Sequence, residues 1–376
     1  MNCYYGMSIV GSSHVSRGIV CQDSHKVKRL MNGLVIAAIA DGVGSSLHSD
    51  IASAIAVDTV VDYCESMLLK LTFKPSVNKL EEIIREAYTE AQLNIEKESA
   101  AMNNPITDFD TTLSMIIYDG KKIVYGHCGD GGIIGLTNQG DYVKITEPQK
   151  TEGIYVIPLR AGLDTWIIGN SGKEDDLCSV LLATDGVYDT FFPYLLRNQE
   201  VEVYVPLIRY FMDNNILRLS QANEEQIQED RKKFLTSDAC ASITDDKTVV
   251  TVLNGEIYPD IKQEIYYAEP DWELLQTQWN QRAYPHLYEK EVTSQPNPKD
   301  RKQYGELSIG QDYTYDGHNT IVNQDNVDQP LQKNFQSKNK EKNTSSRQEN
   351  SFLNNMEEIF EASREFVHDI INKIKK

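Results

Sequence analysis

The chain has 376 residues, a length that allows one large domain or two smaller ones. Its 56 acidic residues outnumber its 37 basic residues, which gives a formal net charge of -19 at pH 7. A surface of that sign repels the phosphates of nucleic acids and of anionic membranes, so we expect neither as a partner. Cations are the small partners that such a surface attracts.

The cysteine content is typical of a reducing compartment. Six cysteines occur at irregular spacing, none of them in a Cys-x-x-Cys pair, and several lie within apolar runs. They resemble small buried hydrophobic residues more than a disulfide framework. The N-terminal sequence lacks the basic start and apolar core of a signal peptide, and the longest apolar run, residues 34–40, is too short to span a bilayer. We therefore expect a soluble, cytoplasmic protein.

The predicted elements begin with a buried strand at residues 34–40, which ends at the turn-forming sequence Asp41–Gly44. Asp50 is predicted to cap a helix that runs from Ile51 to about Lys70. A second helix is predicted from Lys79 to about Ala101, because apolar residues recur there on one helical face.

Short apolar runs separated by turn sequences follow, and we interpret them as strands that pair antiparallel in hairpins. Helices are predicted at about Pro193–Asn215 and Glu224–Phe234. Early helices between runs of antiparallel strands predict an α+β layered domain and argue against a doubly wound parallel sheet. The predicted strands are Thr112–Tyr118, Lys121–Cys128, Ile133–Thr137, Thr165–Ile168, Leu177–Ala183 and Lys247–Leu253.

The composition divides the chain into a structured domain at residues 1–255 and a tail. Residues 256–295 keep aromatic side chains without clear periodicity, and we expect them to pack on the domain. Residues 296–350 are rich in Asn, Gln, Asp, Lys and Ser, which predicts a disordered linker. Residues 351–376 predict an amphipathic helix. Two interpretations of this helix stay open: it docks back on its own domain, or it binds a partner or a second copy.

Four short acidic motifs stand at predicted strand ends or turns. When a strand buries its side chains, a carboxylate at the end of that strand can point into a cleft. Asp-Gly turns also leave backbone carbonyls free to bind a metal ion. Mg²⁺ and Mn²⁺ take such ligands, and a carboxylate that bridges two ions suits phosphoryl transfer to water. Because Asp-Gly is also the commonest turn dipeptide, only the joint pattern predicts a metal site. The motifs are Gln22-Asp23-Ser24, Asp41-Gly42-Val43-Gly44, Asp185-Gly186-Val187-Tyr188-Asp189 and Asp245-Asp246-Lys247-Thr248.

In this order the motifs resemble those of the type 2C metal-dependent protein serine/threonine phosphatases. The resemblance covers roughly residues 6–254 and includes Thr111-Thr112 and Gly129-Asp130. The opening Gly11-Ser12-Ser13-His14, followed by Gly18 and Cys21-Gln22-Asp23, is similar to a bacterial subgroup. The family's fold is a four-layer α-β-β-α sandwich of two antiparallel sheets flanked by helices. The resemblance therefore implies that fold and the hydrolysis of phosphoserine and phosphothreonine on signalling phosphoproteins.

The resemblance also implies a site for two Mn²⁺ or Mg²⁺ ions. Asp41 would bridge the two ions, and the Gly42 carbonyl would bind the second of them. Asp185 and Asp245 would bind the first ion. Asp23 would hold waters of the second ion, directly or from one shell further out.

A third, weaker ion is implied near Asp130 and Asp189, which match acidic residues that help to bind it in the family. A water that bridges the first two ions would have a lowered pKa and would attack the phosphorus in line. The resemblance makes Asp41, Asp23 and Asp185 the residues on which catalysis depends, and no phosphoenzyme is needed.

The chain departs from the family pattern where the substrate phosphate would bind. Many members have an Arg four residues before the Glu or Gln of the first motif, but this chain has Gly18, with Arg17 one residue earlier. On a strand, that shift would turn Arg17 to the other face. Arg17 and His14 are candidates for holding the phosphate, and each also has a plain structural interpretation. His48 is a candidate catalytic histidine or a solvated loop residue.

Gly131-Gly132 replaces the family's usual Ser-Arg and is expected to affect packing more than chemistry. Gln22 and Val43 replace a Glu and a His that other members carry.

Three functions remain to be weighed. The first is an active phosphatase, and the second is a pseudophosphatase that acts as a sensor or scaffold. Retention of Asp41, Asp185 and Asp245 favours the enzyme, because carboxylates that lie close together without a cation would destabilise the fold. The third is another two-metal hydrolase, such as a nuclease, against which the acidic surface argues.

Overall fold

The computed structural model describes residues 1–151, 155–172 and 176–285. The linker predicted at 296–350 and the helix predicted at 351–376 lie outside these residues, as does the end of the predicted aromatic extension. Residues 1–272 form one compact unit of the described chain, and a second unit begins at Glu273.

The first sheet contains both the first and the last strand of the compact unit. All of its neighbouring strands pair antiparallel. In spatial order its five strands are β1 (Asn2–Ile9), β12 (Lys247–Asn254), β11 (Leu177–Ala183), β6 (Gly132–Thr137) and β7 (Tyr142–Lys144).

The second sheet is also antiparallel and is built mainly from the first half of the chain. A separate hairpin joins β8 (Lys150–Thr151) to β9 (Tyr155–Val156). In spatial order the five strands of the second sheet are β10 (Ile167–Asn170), β5 (Ile123–Cys128), β4 (Leu113–Tyr118), β3 (Val35–Ala40) and β2 (Ser24–Arg29).

Helices cover the outer faces of both sheets. Two long helices pack on the second sheet, and shorter ones contact the first sheet. No helix in the described ranges combines the length and the apolar character that a membrane crossing requires. The helices are α1 (Ser12–Arg17), α2 (Ser49–Leu69), α3 (Val77–Met102), α4 (Asp185–Phe191), α5 (Val205–Met212), α6 (Asn214–Leu217), α7 (Glu224–Leu235) and α8 (Trp272–Ala283).

Strand β3 shows why an unbroken apolar run marks the centre of this sandwich. Ile36, Ala38 and Ala40 belong to the core between the second sheet and its helices. Val35 and Ile39, which alternate with them, belong to the core between the two sheets. Both faces of the strand are therefore buried, and no position requires a polar residue. The α+β prediction and the four-layer arrangement are confirmed.

The prediction of a hairpin across Gly129-Asp130-Gly131-Gly132 is wrong. β5 lies in the second sheet and β6 in the first, so this sequence crosses from one sheet to the other. Gly129 has a φ of 122°, and a Cβ there would lie 2.4 Å from the Cβ of Thr112. The tight turn resembles a hairpin in sequence because both need glycine. The crossing brings Asp130 to the edge where the two sheets meet.

The single helix predicted at Pro193–Asn215 is also wrong. The structure has a 3-10 turn at Tyr194–Leu196 and then the two short helices α5 and α6. Pro206 lies in the first turn of α5, where proline is tolerated, and Asp213 caps α6 by accepting a hydrogen bond from the Asn215 N–H at 2.9 Å.

The predicted cap of α2 needs a smaller correction. Helix α2 begins at Ser49 with His48 at its cap position, so Asp50 lies in the first turn and makes no capping hydrogen bond. A carboxylate in the first turn still interacts favourably with the helix dipole. Helix α3 has a side-chain cap, because the Ser76 hydroxyl accepts from the Lys79 N–H at 3.2 Å.

Candidate metal centre

Three of the predicted ligands lie together at one edge of the sandwich. Asp41 follows β3, Asp130 lies in the crossing between the sheets, and Asp185 is the first residue of α4 after β11. One carboxylate oxygen of each lies within 4.8 Å of the others. Residues far apart in sequence therefore form one cluster, because strands of both sheets end at this edge.

Two threonines fix the backbone of Asp41. The Asp41 N–H donates to Thr112 Oγ1 at 2.9 Å, and the Thr112 N–H returns a bond to the Asp41 carbonyl at 2.8 Å. The Thr111 hydroxyl donates to the same carbonyl at 2.8 Å. A Cβ at Gly42 would lie 2.8 Å from backbone atoms of Ser49, so only glycine fits directly after Asp41. These contacts fix the backbone at Asp41 and Gly42, from which the Asp41 carboxylate reaches the cluster.

Asp23 is buried beside Asp41, with 5% of its surface exposed. Its Oδ2 accepts a hydrogen bond from the Thr184 hydroxyl at 2.8 Å. Its Oδ1 is buried and receives no hydrogen bond from the part of the chain that the structure describes. A buried carboxylate oxygen without a donor is costly, and a cation or its bound water would satisfy it.

The carboxyl groups of the cluster hold their protons unusually tightly. Burial, followed by the charges of Asp130 and Asp245, raises the pKa of Asp185 to about 8. Burial raises the pKa of Asp23 to about 7. The pKa of Asp41 is well above its usual value, first through burial and then through Asp23 and Asp185. A bound cation would stabilise the ionised form of these carboxyl groups.

Two other predicted ligands stand at the rim of the cluster. Asp189 lies one turn after Asp185 on α4, and Asp245 lies in the loop before β12. Both side chains are exposed, and both lie near enough to raise the pKa of Asp185. They face the same opening as the cluster without belonging to its closest part.

The donor set fits a divalent cation. Its closest members are three carboxylates, and carboxylate oxygens are ligands that Mg²⁺ and Mn²⁺ prefer. The orphaned Oδ1 of Asp23 and the raised pKa values of Asp23 and Asp41 both agree with carboxylates whose ionised form a cation would stabilise.

Asp246, which is 3% exposed, has a role that was not predicted from the sequence. Its Oδ1 accepts from the Gly11 N–H and its Oδ2 from the Gln22 N–H, each at 2.6 Å. His14 Nδ1 lies 2.9 Å from Oδ1. Asp246 thus joins the opening motif of the chain to the segment just before β2 that contains Gln22 and Asp23. In the sequence, Asp245 and Asp246 are simply adjacent aspartates. No local pattern indicates that the first faces the cleft and the second faces the protein interior.

The Asp246→Asn variant is expected to lose about 2 kcal/mol or more of unfolding free energy, because an amide nitrogen would face one of the two backbone donors. Urea unfolding in EDTA would measure this loss. The matched change Asp58→Asn, on the exposed face of α2, should cost less than about 0.5 kcal/mol. Equal unfolding free energies for the two variants would contradict this role for Asp246.

The three basic candidates have structural contacts in the folded protein. His14 is 6% exposed beside Asp246, which favours its structural interpretation. Arg17 ends helix α1, is exposed, and donates from Nε to the Ser13 carbonyl at 3.0 Å. Arg17 therefore lies on a helix, and the prediction that placed it on a strand is wrong. His48 hydrogen-bonds the Asn104 side chain and packs against the Phe109 ring.

The glycine pair Gly131-Gly132 is required by close packing. A Cβ at Gly132 would lie 2.1 Å from the ring of Tyr188, and one at Gly131 would lie 2.5 Å from the Ala183 carbonyl oxygen. These contacts agree with the expectation that Gly131-Gly132, in place of the family's usual Ser-Arg, affects packing more than chemistry.

Comparisons with known proteins show the family of the chain. The family described as Protein phosphatase 2C matches residues 10–236. A serine/threonine phosphatase from S. agalactiae is 16% identical, with a TM-score of 0.47 over 69% of this chain and 100% of that chain. Stp1 from Staphylococcus aureus is 12% identical, with a TM-score of 0.43 over 67% of this chain and 95% of its own.

The catalytic domain of PstP in complex with two manganese ions is 17% identical, with a TM-score of 0.41 over 67% of this chain and 97% of its own. No curated protein sequence gives a significant match. Because the family match spans more than half of its length, the chain belongs to the protein phosphatase 2C family, a family of protein serine/threonine phosphatases.

Proposed function

We propose that the chain is an active phosphatase that removes phosphate from phosphoserine and phosphothreonine on proteins with the help of two divalent cations. The observation that carries this proposal is the cluster of Asp41, Asp130 and Asp185, whose carboxylate oxygens approach within 4.8 Å. Their like charges are held together by the fold at a cost that only a cation would offset.

Each predicted ligand has a place in this proposal. Asp41 would hold both cations, and the Gly42 carbonyl would help to hold one of them. Asp185 and Asp245 would hold one cation, and Asp23 would contact the other directly or through water. Asp130 and Asp189 would hold a third, weaker cation. When bound, Mn²⁺ or Mg²⁺ would lower the pKa of a water and stabilise the negative charge on the transferred phosphoryl group.

The chain's own residues supply the geometry. Thr111 and Thr112 fix Asp41, and the Thr184 hydroxyl orients Asp23. Side chains held by the ends of two packed sheets keep their positions better than side chains on a free loop. The protein would therefore present a preformed set of oxygens and would not need to assemble it on binding.

A pseudophosphatase remains the alternative. Its motivation is the absence of the usual arginine, and the nearby Arg17 donates from Nε to a carbonyl of its own helix. A scaffold has no use for buried carboxylates whose pKa values are raised to about 7 and about 8. The free-energy cost of burying these carboxylates therefore favours the active enzyme.

The cysteines support a reducing compartment, and we propose the cytoplasm. All six are free thiols, five of them buried. The partners that follow from the proposed reaction are phosphoproteins. The segment 351–376 is a further candidate for contact with a partner or a second copy.

Isothermal titration of the purified full-length chain with Mn²⁺ tests the proposal. Binding of two ions is expected, and Asp41→Asn should weaken binding by about 100-fold or more. The matched variant Asp58→Asn, on α2, should bind like the wild type. A folded wild-type chain that binds no Mn²⁺ would contradict the proposal.

The boundary of the catalytic domain gives a separate prediction. Deletion of residues 296–376 is expected to leave hydrolysis of p-nitrophenyl phosphate within about twofold of the full chain, because every candidate ligand lies before residue 246. Loss of Mn²⁺ binding in the truncated chain would show that the domain extends beyond residue 295.

A further inference from the structure

When only the two tighter cations are bound, the candidate site carries more negative charge than those cations balance. Six aspartates bring six negative charges when ionised, and two divalent cations bring four positive charges, so an excess of two remains. A phosphate monoester is itself a dianion near neutral pH and would be repelled. The six aspartates are Asp23, Asp41, Asp130, Asp185, Asp189 and Asp245.

Lys150 is the cationic side chain whose ion pair reaches this cluster in the described residues. Its Nζ lies 3.2 Å from Oδ2 of Asp130, and about a third of the side chain is exposed. The ammonium group thus contacts a carboxylate of the cluster and remains accessible to solvent.

The residue before Lys150 anchors it. The Gln149 N–H donates to the Gly129 carbonyl at 2.7 Å, and the Gly129 N–H donates to Gln149 Oε1 at 3.1 Å. Gln149 Nε2 also donates to the Thr165 carbonyl at 2.8 Å. These bonds tie the start of β8 to the turn that carries Asp130, so Lys150 is placed by the same turn as the cluster.

We propose that Lys150 binds the phosphoryl oxygens of the substrate and takes the part that an arginine near residue 18 plays elsewhere in the family. This inference rests on the proposed function. Cations at the aspartates would weaken the attraction of Asp130 for the ammonium group, which would then turn toward the dianion. A flexible lysine suits this movement, because its ammonium group binds phosphate as a point charge without fixed geometry.

The test compares Lys150→Met and Lys150→Arg with the wild type. We expect Lys150→Met to raise KM for a phosphothreonine peptide and Ki for inorganic phosphate by about tenfold or more, with a smaller change in kcat. Lys150→Arg should recover most of both constants. The control Lys144→Met, on β7, removes a lysine paired with Glu147 and Glu202 and should change neither constant.

Titration of each Mn²⁺-loaded protein with inorganic phosphate makes the test independent of turnover. Weaker phosphate binding by Lys150→Met, with unchanged Mn²⁺ affinity, supports the proposal. Equal phosphate affinity in Lys150→Met and wild type would overturn the proposal. A loss of Mn²⁺ affinity alone would also overturn it, because Lys150 would then serve only to position Asp130. A wild type that binds phosphate but does not hydrolyse the peptide would instead contradict the proposed function.

A second feature is a groove that contains none of the candidate ligands. Its volume is about 590 Å³, and it lies between the α2–α3 connection and strands β4, β5 and β10. Leu68, Leu71, Ile117 and Val124 contribute apolar surface, and Phe73 is 73% exposed at its rim. An exposed aromatic residue beside a preformed apolar groove is typical of a binding surface.

The charged residues that line this groove are Lys74, Lys122 and Asp119, with Lys74 3.2 Å from Asp119, so the lining is net positive in a chain whose net charge is -19. Residues 352–369 have the complementary pattern, with five acidic residues and one arginine around an apolar stripe that includes Met356, Ile359 and Phe360. The 66 residues at 286–351 would span about 45 Å as a flexible chain, which is comparable to the diameter of such a domain.

We infer that the segment 352–374 docks in this groove of its own chain, with its apolar stripe on Leu68, Leu71 and Phe73. Hydrogen exchange of the full-length protein tests this. Amides of residues 68–76 should exchange about tenfold faster in Phe360→Asp than in the wild type. Asn354→Asp adds the same charge on the opposite face of the predicted helix and should leave the exchange rate unchanged.

Equal exchange rates in the wild type and Phe360→Asp would overturn this inference. If protection of these amides rises with protein concentration and sedimentation shows a dimer, the inference is also overturned. The segment would then bind the groove of a second copy. Protection that is independent of concentration in a monomer supports docking within one chain.

Discussion

The Asp185→Asn variant is expected to hydrolyse a phosphothreonine peptide about a thousandfold more slowly than the wild type, or not measurably. Asp185 contributes one of the three carboxylates that approach within 4.8 Å. Loss of a cation ligand removes several kcal/mol of charge stabilisation in the transition state, and each ~1.4 kcal/mol changes the rate tenfold. Steady-state kinetics with saturating Mn²⁺ would measure the loss.

The control for this variant is Asp58→Asn, which removes an exposed carboxylate from α2 and should keep wild-type kinetics. Far-ultraviolet circular dichroism should show that both variants are folded. A folded Asp185→Asn protein with at least a tenth of the wild-type rate would show that Asp185 has no essential part in the reaction.

The second large effect concerns the metal-free protein, whose stability is expected to fall as the pH rises. Asp23 and Asp185 have pKa values raised to about 7 and about 8 in the folded state, against about 4 for an unfolded aspartate. The folded state therefore binds these protons more tightly than the unfolded state does. Stability that is present below about pH 4 is lost progressively between about pH 4 and pH 8.

Melting temperatures in EDTA between pH 5.5 and pH 8.5 would measure this dependence. At pH 8.5 the metal-free Asp185→Asn variant should melt roughly 3 °C or more above the wild type, because it lacks one of the repelling charges. In saturating Mn²⁺ the wild type should instead melt at a higher temperature than Asp185→Asn. A wild type that melts at the same temperature across this range without metal would contradict the coupling of these carboxyl groups.

Much of the fold follows from local patterns in the sequence. The run at residues 34–40 predicts a central strand because both faces of β3 are buried, and Leu177–Ala183 is predicted to the residue. The Asp-Gly sequences after these strands predict that carboxylates meet at a sheet edge. The cluster of Asp41 and Asp185 agrees with that prediction, because the hydrophobic pattern determines where each strand stops.

The missing features depend on contacts between distant segments. Asp246 bonds to Gly11, which lies 235 residues away in the chain, and no local pattern signals such a pair. Lys150 meets Asp130 only because Gln149 holds its hairpin against the crossing between the sheets. That crossing itself looks like a hairpin in sequence. A turn dipeptide specifies a tight reversal of the backbone and not the sheet in which the next strand lies.

The most direct test is hydrolysis of a phosphothreonine peptide by the full-length chain with Mn²⁺, with Mg²⁺ and with EDTA. The proposed two-cation phosphatase predicts turnover with Mn²⁺ or Mg²⁺ that EDTA abolishes and that added Mn²⁺ restores. Turnover that persists in EDTA would contradict the role of the aspartate cluster. A folded protein that binds Mn²⁺ but hydrolyses neither the peptide nor p-nitrophenyl phosphate would contradict the assignment as an active enzyme.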